Sequence, residues 1–180
     1  RQMNEVFDIA NDNNILIYYT DTDSIHLESK DIQLLEQKYF EKYNRVVTGT
    51  EFGQFHIDFK FDDDKKHEDV HSELFIGLST KVYLDLLTDS EGNKQYHVRM
   101  KGISKSAIEH ACKINNCDEL GIFRKMISDG KITFLMNPPG KVSFEFKDNR
   151  VLTKEPWYRD FSVINDKHEK FIFTENSTVI

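Results

Sequence analysis

Apolar residues recur at two different periods along the chain, and the mixture predicts a fold that combines helices with strands. Helical spacing of apolar residues opens the sequence over residues 3–10. A β-rich apolar run at 15–19 and an alternating run at 24–28 predict two strands joined by a short turn. A second helix is expected over residues 31–43, where apolar residues return to helical spacing.

The remainder of the chain continues this mixture. Strands are expected over residues 55–61, 74–78, 82–87 and 96–100, with a hairpin turn at 90–93. Helices are expected over 105–114 and 118–127, and short strands follow from residue 131 to the end. The pattern predicts an α+β fold with an antiparallel sheet and packed helices, followed by a small β-rich region.

Composition predicts a folded chain, and the first residues favour a piece of a longer one. Of the 180 residues, 38% are hydrophobic and 12% are aromatic, which is enough apolar surface for a core. No run approaches the roughly 20 apolar residues of a membrane span, so no membrane partner is expected. The first residue is Arg1 and the opening helix has no capping residue before it, so we expect the sequence to begin inside a longer natural chain.

Charge is unevenly distributed along the chain. Residues 94–154 contain twelve Lys or Arg and six Asp or Glu, a formal charge of +6, so the rest carries -13 to reach the overall -7. An acidic part that holds cations and a basic part that meets a polyanion would produce this segregation, and so would two ordinary solvated faces.

The most informative segment is Tyr19-Thr20-Asp21-Thr22-Asp23-Ser24, at the tip of the hairpin predicted over residues 15–28. On an extended backbone Asp21 and Asp23 would point to the same side, and two converging carboxylates repel each other unless a cation lies between them. Hard oxygen ligands on a short turn suit Mg²⁺, with Mn²⁺ as a substitute, when substrate phosphates complete the coordination. The plainer interpretation is that Asp and Thr are simply good turn residues.

This hexapeptide resembles the Tyr-x-Asp-Thr-Asp-Ser motif that family B DNA polymerases carry on a hairpin of the palm domain. The resemblance implies that Asp21 and Asp23 are catalytic metal ligands, with Asp23 the more direct of the two. It also implies that Tyr19 and Ser24 support the turn, and that Thr22 faces the primer end or the neighbouring hairpin residues.

Two later segments resemble further motifs of the same family in the same order. Lys81-Val82-Tyr83 resembles the Lys-x-Tyr motif, which implies that Lys81 and Tyr83 contact the primer strand. The segment from Val98 to Ile103 resembles the Lys-Gly stretch between palm and thumb, which implies that Arg99 and Lys101 contact DNA phosphates. Either motif alone is weak, because many strands contain such residues.

Phe52-Gly53-Gln54-Phe55, followed by Asp58, resembles a stretch of the protein-primed branch of the family, which serves phages, viruses and linear plasmids. The resemblance implies an intracellular site of viral or plasmid DNA replication in the host. Its partners would be primer–template DNA, dNTPs, a protein hydroxyl as primer at initiation, and the remainder of the polymerase chain. The division would be a palm portion at 1–103 and a thumb at 104–180.

Other parts of the family pattern are missing. The upstream aspartate motif and the triphosphate-binding lysine motif do not occur in this sequence. We therefore expect a carboxyl-terminal palm and thumb portion of a DNA-directed DNA polymerase, a nucleotidyltransferase, that cannot extend a primer alone.

Two other functions fit parts of the sequence. A metal-dependent glycosyltransferase also uses Asp-x-Asp after an apolar strand, although that fold needs several βα units before the strand. A non-catalytic nucleic-acid-binding or assembly module with a palm-like shape is the second alternative. Nucleotide-sugar binding would indicate the first, and DNA binding that is indifferent to Asp23→Asn would indicate the second.

Weaker candidate sites lie elsewhere. His67 and His71 beside Asp63, Asp64, Glu68 and Asp69 could bind a metal, but a solvated acidic loop is the better interpretation. His110, Cys112 and Cys117 match no common zinc spacing, so two buried thiols are expected instead. The basic residues that could form a DNA-facing thumb surface are Arg124, Lys125, Lys131, Lys141, Lys147, Arg150 and Lys154.

Overall fold

The computed structural model describes residues 2–57, 59–63, 67–140, 144–163 and 172–179. The helices in these ranges are α1 (Gln2–Asp12), α2 (Ile32–Tyr43), α3 (Lys105–Asn115) and α4 (Glu119–Asp129). The strands are β1 (Ile17–Asp21), β2 (Ser24–Glu28), β3 (His71–Ser79), β4 (Val82–Thr88), β5 (Lys94–Met100), β6 (Lys131–Met136), β7 (Phe144–Lys147), β8 (Arg150–Thr153), β9 (Trp157–Ser162) and β10 (Ile172–Val179). Among the described helices, none combines the length and the apolar character needed to cross a membrane.

All strand pairs in the three sheets are antiparallel. The main sheet has six strands in the order β1-β2-β10-β3-β4-β5, and β6 pairs with β9 while β7 pairs with β8. The prediction of a mixed α+β fold is confirmed at this level. The hairpin at the start of the chain and the β4–β5 hairpin also form as predicted.

The first two helices pack against the β1–β2 hairpin and form one core cluster. Its buried members are Val6, Ile9, Ala10, Ile15, Ile25, Leu27, Leu35, Tyr39 and Val47. A buried polar contact joins the two helices: the Tyr39 hydroxyl donates to Glu5 at 2.7 Å, and the Arg45 guanidinium donates to the same carboxylate at 2.5 Å. The apolar cluster and these polar contacts together hold α1, α2 and the hairpin against one another.

Helices α3 and α4 pack against β3, β4 and β6 in a larger cluster. It contains Ile76, Leu78, Val82, Leu84, Met100, Ile103, Ala107, Ile108, Ala111, Ile122, Phe123, Met126, Ile132, Phe134 and Met136. The Ser104 and Asp118 side chains cap the two helices by accepting hydrogen bonds from Ala107 N and Gly121 N. Residues on both sides of position 103, where the sequence predicts the end of the palm portion, contribute to this cluster.

The strand predicted over residues 55–61 is wrong. Residues 56–57 and 59–61 are irregular, and Phe55 makes only an isolated bridge to Thr48. Burial without strand pairing accounts for part of the alternation: Phe59 packs with Val70 and Leu87 and Phe61 lies at the edge of that cluster, whereas Ile57 is exposed. Asp58 itself lies outside the described residues.

The main sheet is strongly curled. The Tyr19 ring on β1 lies 5.0 Å from the Tyr83 ring on β4, measured between centroids. In a flat sheet, four strand spacings would separate these strands by roughly 19 Å. The hairpin edge therefore folds back over β4, which brings its tip towards the turn between β3 and β4.

The connection from β5 to α3 is held by a residue from the carboxyl-terminal part of the chain. Arg159 on β9 donates to the Gly102 carbonyl oxygen at 2.7 Å. Gly102 has a φ of 80°, and a Cβ at this position would lie 2.6 Å from the Arg159 guanidinium. The positive φ favours a glycine here, whereas the flexible end of the Arg159 side chain can move to admit a Cβ.

Candidate functional site

The hairpin tip forms a tighter turn than the sequence predicts. Asp21 pairs with Ser24 in the strand register, and Thr22 between them has a φ of 57°. The Asp23 amide donates to the Asp21 carbonyl oxygen at 2.6 Å, and the Ser24 hydroxyl donates to the same oxygen at 3.2 Å. The prediction of an extended backbone between the two aspartates is therefore wrong, because the left-handed Thr22 reverses the chain there.

Lys81 provides a positive charge at this turn. Its Nζ lies 2.7 Å from both Asp21 carboxylate oxygens, although the two residues are 60 positions apart in the sequence. This hydrogen bond lowers the pKa of Asp21. The same bond, with a smaller contribution from Asp23, raises the pKa of Lys81. One ammonium group thus interacts with both carboxylates of the hexapeptide, more strongly with Asp21.

Tyr19 connects the hairpin to the β3–β4 turn. Its hydroxyl accepts a hydrogen bond of 2.8 Å from the backbone amide of Lys81. Lys81 has a φ of 60°, so the chain makes a tight turn just before β4 begins. The Tyr19 ring also packs on Tyr83, and these contacts fix Lys81 opposite the two aspartates.

A cavity of about 310 Å³ opens at this point. Its lining residues are Asp21, Lys81, Tyr83, Arg99, Met100 and Lys101. Tyr83 and Arg99 face each other in the β4–β5 register. Burial raises the pKa of Tyr83, so its hydroxyl stays protonated and able to donate. The cavity therefore combines one carboxylate with three cationic side chains and a phenol.

The structure brings five of the predicted site residues together around this cavity, namely Asp21, Lys81, Tyr83, Arg99 and Lys101. Tyr19 supports the cavity from behind through its contacts with Lys81 and Tyr83. Thr22 and Asp23 are exposed at the tip of the turn, where the Thr22 hydroxyl donates to Asp21 at 3.3 Å. The predicted site residues thus occupy one region of the molecule.

The side chains at the turn fit a hard divalent cation in their chemistry. Asp21 and Asp23 supply carboxylate oxygens, the ligands that Mg²⁺ and Mn²⁺ prefer. The Lys81 ammonium group already forms an ion pair with Asp21, at the place that a metal ion would occupy. In the described part of the chain, no group of three or more His, Cys, Asp or Glu side chains has the arrangement of a metal site. Mg²⁺ takes one or two carboxylates from a protein when phosphates supply other ligands, and of these two aspartates only Asp21 lines the cavity.

A larger cavity of about 570 Å³ adjoins the first one and shares Arg99 and Met100 with it. Lys60 and Lys105 line it together with carboxylates, and Lys105 pairs with Asp62 at 2.5 Å. This ion pair lowers the pKa of Asp62. The two cavities extend the polar surface from the hairpin tip along β5 to the start of α3.

A buried polar pair beneath the hairpin was not predicted. His26 on β2 and Asp85 on β4 are 1% and 0% exposed, and their nearest atoms, His26 Nδ1 and Asp85 Oδ1, are 3.9 Å apart. The Ser72 hydroxyl donates to Asp85 Oδ1 at 2.8 Å. His26 Nδ1 and Asp85 Oδ2 have no hydrogen-bond partner in the described chain.

Burial dominates the titration of both groups, because their separation exceeds hydrogen-bond distance. Burial lowers the pKa of His26 to about 3 and raises the pKa of Asp85 to about 7. The sequence did contain a signal for this pair, because each residue stands between aliphatic neighbours of a strand, Ile25 and Leu27 for His26 and Leu84 and Leu86 for Asp85.

The His67 and cysteine sites, which the sequence suggested more weakly, form ordinary structural contacts. His67 lies between Asp89 and Asp63, at 2.7 and 2.8 Å, and these carboxylates raise its pKa, Asp89 more strongly. Cys112 and Cys117 are free and partly buried, and burial raises the pKa of Cys112 to about 11. Of the residues proposed for these sites and for the basic thumb surface, Asp64 and Lys141 lie outside the described ranges.

Comparison with protein-family models, with curated proteins and with solved structures gives no match.

Proposed function

We propose that this chain is the carboxyl-terminal palm and thumb portion of a family B DNA polymerase of the protein-primed branch. As part of a longer chain, it would take part in the Mg²⁺-dependent addition of deoxynucleotides to a primer 3′-OH. One observation carries this proposal: the hairpin turn with Asp21 meets the paired strands that carry Lys81 with Tyr83 and Arg99 with Lys101, 60 and more positions later, around one cavity.

This convergence adds weight because each segment alone has an ordinary explanation. Asp-Thr-Asp suits any tight turn, and Lys-x-Tyr occurs in many strands. The pairing of β4 with β5 already places Tyr83 opposite Arg99, but nothing in local turn or strand chemistry requires Lys81 to reach Asp21 over 60 sequence positions. The resemblance to one family explains all three segments, their order and their contacts together.

Asp21 and Asp23 would hold the metal in this proposal. A divalent ion at this place would activate the attacking hydroxyl and neutralise charge on the leaving phosphates. The Tyr19 hydroxyl accepts a hydrogen bond from the backbone N–H of Lys81 and so positions that residue. Tyr83 presents a protonated hydroxyl to the same cavity. In this proposal Lys81 and Tyr83 would contact one phosphate of a primer end.

Arg99 and Lys101 would contact the product duplex. Both are exposed and line the cavity, and the larger cavity beyond Arg99 adds Lys60 and Lys105 along the same direction. Phosphate contacts of this kind fix the position of a duplex without reading its sequence. The upstream catalytic aspartate and the triphosphate lysine would come from the remainder of the polymerase chain.

Binding of primer–template DNA tests this proposal, measured by fluorescence anisotropy as a function of salt. We expect Arg99→Ala and Lys101→Ala each to weaken binding about three- to tenfold and to lower the salt slope by about one. Lys113→Ala removes an equal charge from an exposed position on α3 outside both cavities, so it serves as the matched control.

Three outcomes would contradict the proposal. Equal losses in all three variants would mean that only overall charge attracts DNA. Tight Mn²⁺-dependent binding of a nucleotide sugar, without affinity for DNA, would favour a glycosyltransferase. DNA binding that depends on Arg99 and Lys101 but shows no effect of Mn²⁺ or of Asp23→Asn would favour a non-catalytic module.

A further inference from the structure

Lys81 forms hydrogen bonds with both oxygens of the Asp21 carboxylate. In the proposed function, the same carboxylate is a ligand of a metal ion. The two N–O distances of 2.7 Å mean that one ammonium group engages Asp21 on both sides. A divalent cation and this ammonium group cannot share the same carboxylate oxygens without strong repulsion. Binding of the metal at Asp21 therefore requires Lys81 to leave.

The surroundings of Lys81 allow this movement at a small cost in free energy. Its backbone is fixed by the Tyr19 hydroxyl, so the side chain can swing while the turn stays in place. The Lys81 side chain is 47% exposed and that of Asp21 is 25% exposed, and exposed ion pairs of this type are weak. The cavity that Lys81 lines offers space on the side of Tyr83 and Arg99.

We propose that Lys81 is an internal counter-ion that alternates between two positions. Without metal it pairs with Asp21 and neutralises the carboxylate turn. With a divalent ion on Asp21 it is displaced towards the Tyr83 side of the cavity, where it binds a phosphate group of nucleic acid. Metal binding and phosphate binding then reinforce each other, because each favours the same position of one side chain.

This inference rests on the proposed function for the identity of the two ligands, but its first consequence concerns the metal alone. Removing the competing ammonium should improve metal binding, whereas removing an ordinary supporting residue should not. Lys81→Met keeps the length of the side chain and deletes the charge. It also keeps the hydrogen bond from the backbone N–H of residue 81 to the Tyr19 hydroxyl.

Titration of the 180-residue chain with Mn²⁺, followed by the electron paramagnetic resonance of free Mn²⁺, tests this step without DNA. We expect Lys81→Met to bind Mn²⁺ about tenfold more tightly than the unmodified chain. Lys101→Met removes a cation from the same cavity that does not pair with Asp21, and we expect it to change the affinity less than about threefold. In the Asp21→Asn background, Lys81→Met should have no effect beyond that of Lys101→Met.

A second measurement tests the coupling. Saturating Mn²⁺ should raise the affinity of the unmodified chain for primer–template DNA several-fold more than it raises that of Lys81→Met, because only the former gains a freed ammonium group. Equal enhancement in both proteins would overturn the alternating role.

The outcomes separate this inference from the proposed function. If Mn²⁺ binding depends on Asp23 but Lys81→Met leaves it unchanged or weaker, the counter-ion role is wrong and the proposed metal site remains. If Mn²⁺ binding is independent of both aspartates in every variant, the metal site is wrong and the counter-ion role fails with it.

Discussion

Asp23→Asn is expected to weaken Mn²⁺ binding by more than about tenfold, with Asp21→Asn giving a smaller loss. Each change replaces a charged oxygen ligand by a neutral amide, and a divalent ion at a two-carboxylate site depends on both charges. The loss is smaller for Asp21 because its carboxylate is already paired with Lys81, so its removal also releases a competing cation. Isothermal titration calorimetry with Mn²⁺ measures both losses.

Asp8→Asn is the control for this prediction, since Asp8 is exposed on α1 and lines neither cavity. Asp23 is exposed as well, so neither variant should change the free energy of unfolding by more than about 0.5 kcal/mol. A loss of affinity in Asp8→Asn equal to that in Asp23→Asn would show that Mn²⁺ is attracted by the acidic surface in general.

The second large effect concerns the buried pair His26 and Asp85 and the dependence of stability on pH. The pKa of Asp85 is raised from 3.8 to about 7, so the free energy of unfolding falls as pH rises from about 4 to about 7. The pKa of His26 is lowered from 6.5 to about 3, so its contribution acts in the opposite direction and is lost as pH falls through the same range. In the unmodified chain the two contributions nearly cancel between pH 4 and 6.5.

Single substitutions should reveal the two opposing contributions. Relative to the unmodified chain, Asp85→Asn should gain stability between pH 4 and 6.5 by roughly 3 kcal/mol, since one unit of pKa shift corresponds to about 1.4 kcal/mol. His26→Gln should lose a similar amount over the same interval, because only the buried carboxyl then titrates. Urea unfolding at several pH values measures these differences.

The difference between each variant and the unmodified chain is the quantity to compare, since it cancels most other titrating groups. Parallel stability profiles for all three proteins would show that His26 and Asp85 do not titrate as buried groups. Ser72→Ala removes the hydrogen bond to Asp85 and should raise the pKa of that carboxyl further.

Local signals in the sequence were sufficient for most of the secondary structure. The helices α1, α3 and α4 follow from apolar spacing, and Ser104 and Asp118 stand where capping residues are expected. The hairpin follows from an apolar run interrupted by turn-forming residues. These features depend on neighbours within a few positions, which is the range that periodicity reports.

The pairing of strands that are distant in the sequence could not be predicted from local patterns. The residues 55–61 alternate like a strand, yet Phe59 is buried and Phe61 is partly buried without strand pairing, and alternation alone cannot distinguish the two cases. The insertion of β10 between β2 and β3 joins the end of the chain to its beginning, and no local pattern encodes that order. The division into palm and thumb at residue 103 stays a prediction.

The residues of the candidate site could be predicted from local motifs, but the contacts between them could not. Asp21, Asp23, Lys81 and Tyr83 were proposed from short motifs, whereas the contact between Lys81 and Asp21 depends on the curl of the sheet. The left-handed conformation of Thr22 was missed because it is uncommon for a β-branched residue.

The central claim is that the hairpin turn with Asp21 and Asp23 binds a divalent ion, and paramagnetic broadening of amide signals by Mn²⁺ tests it most directly. In a ¹⁵N spectrum of the 180-residue chain, the first signals to disappear should be those of residues 20–24, followed by Lys81 across the cavity. Broadening centred on residues 59–63 and 67–69 instead, or uniform broadening over all acidic surfaces, would contradict the claim.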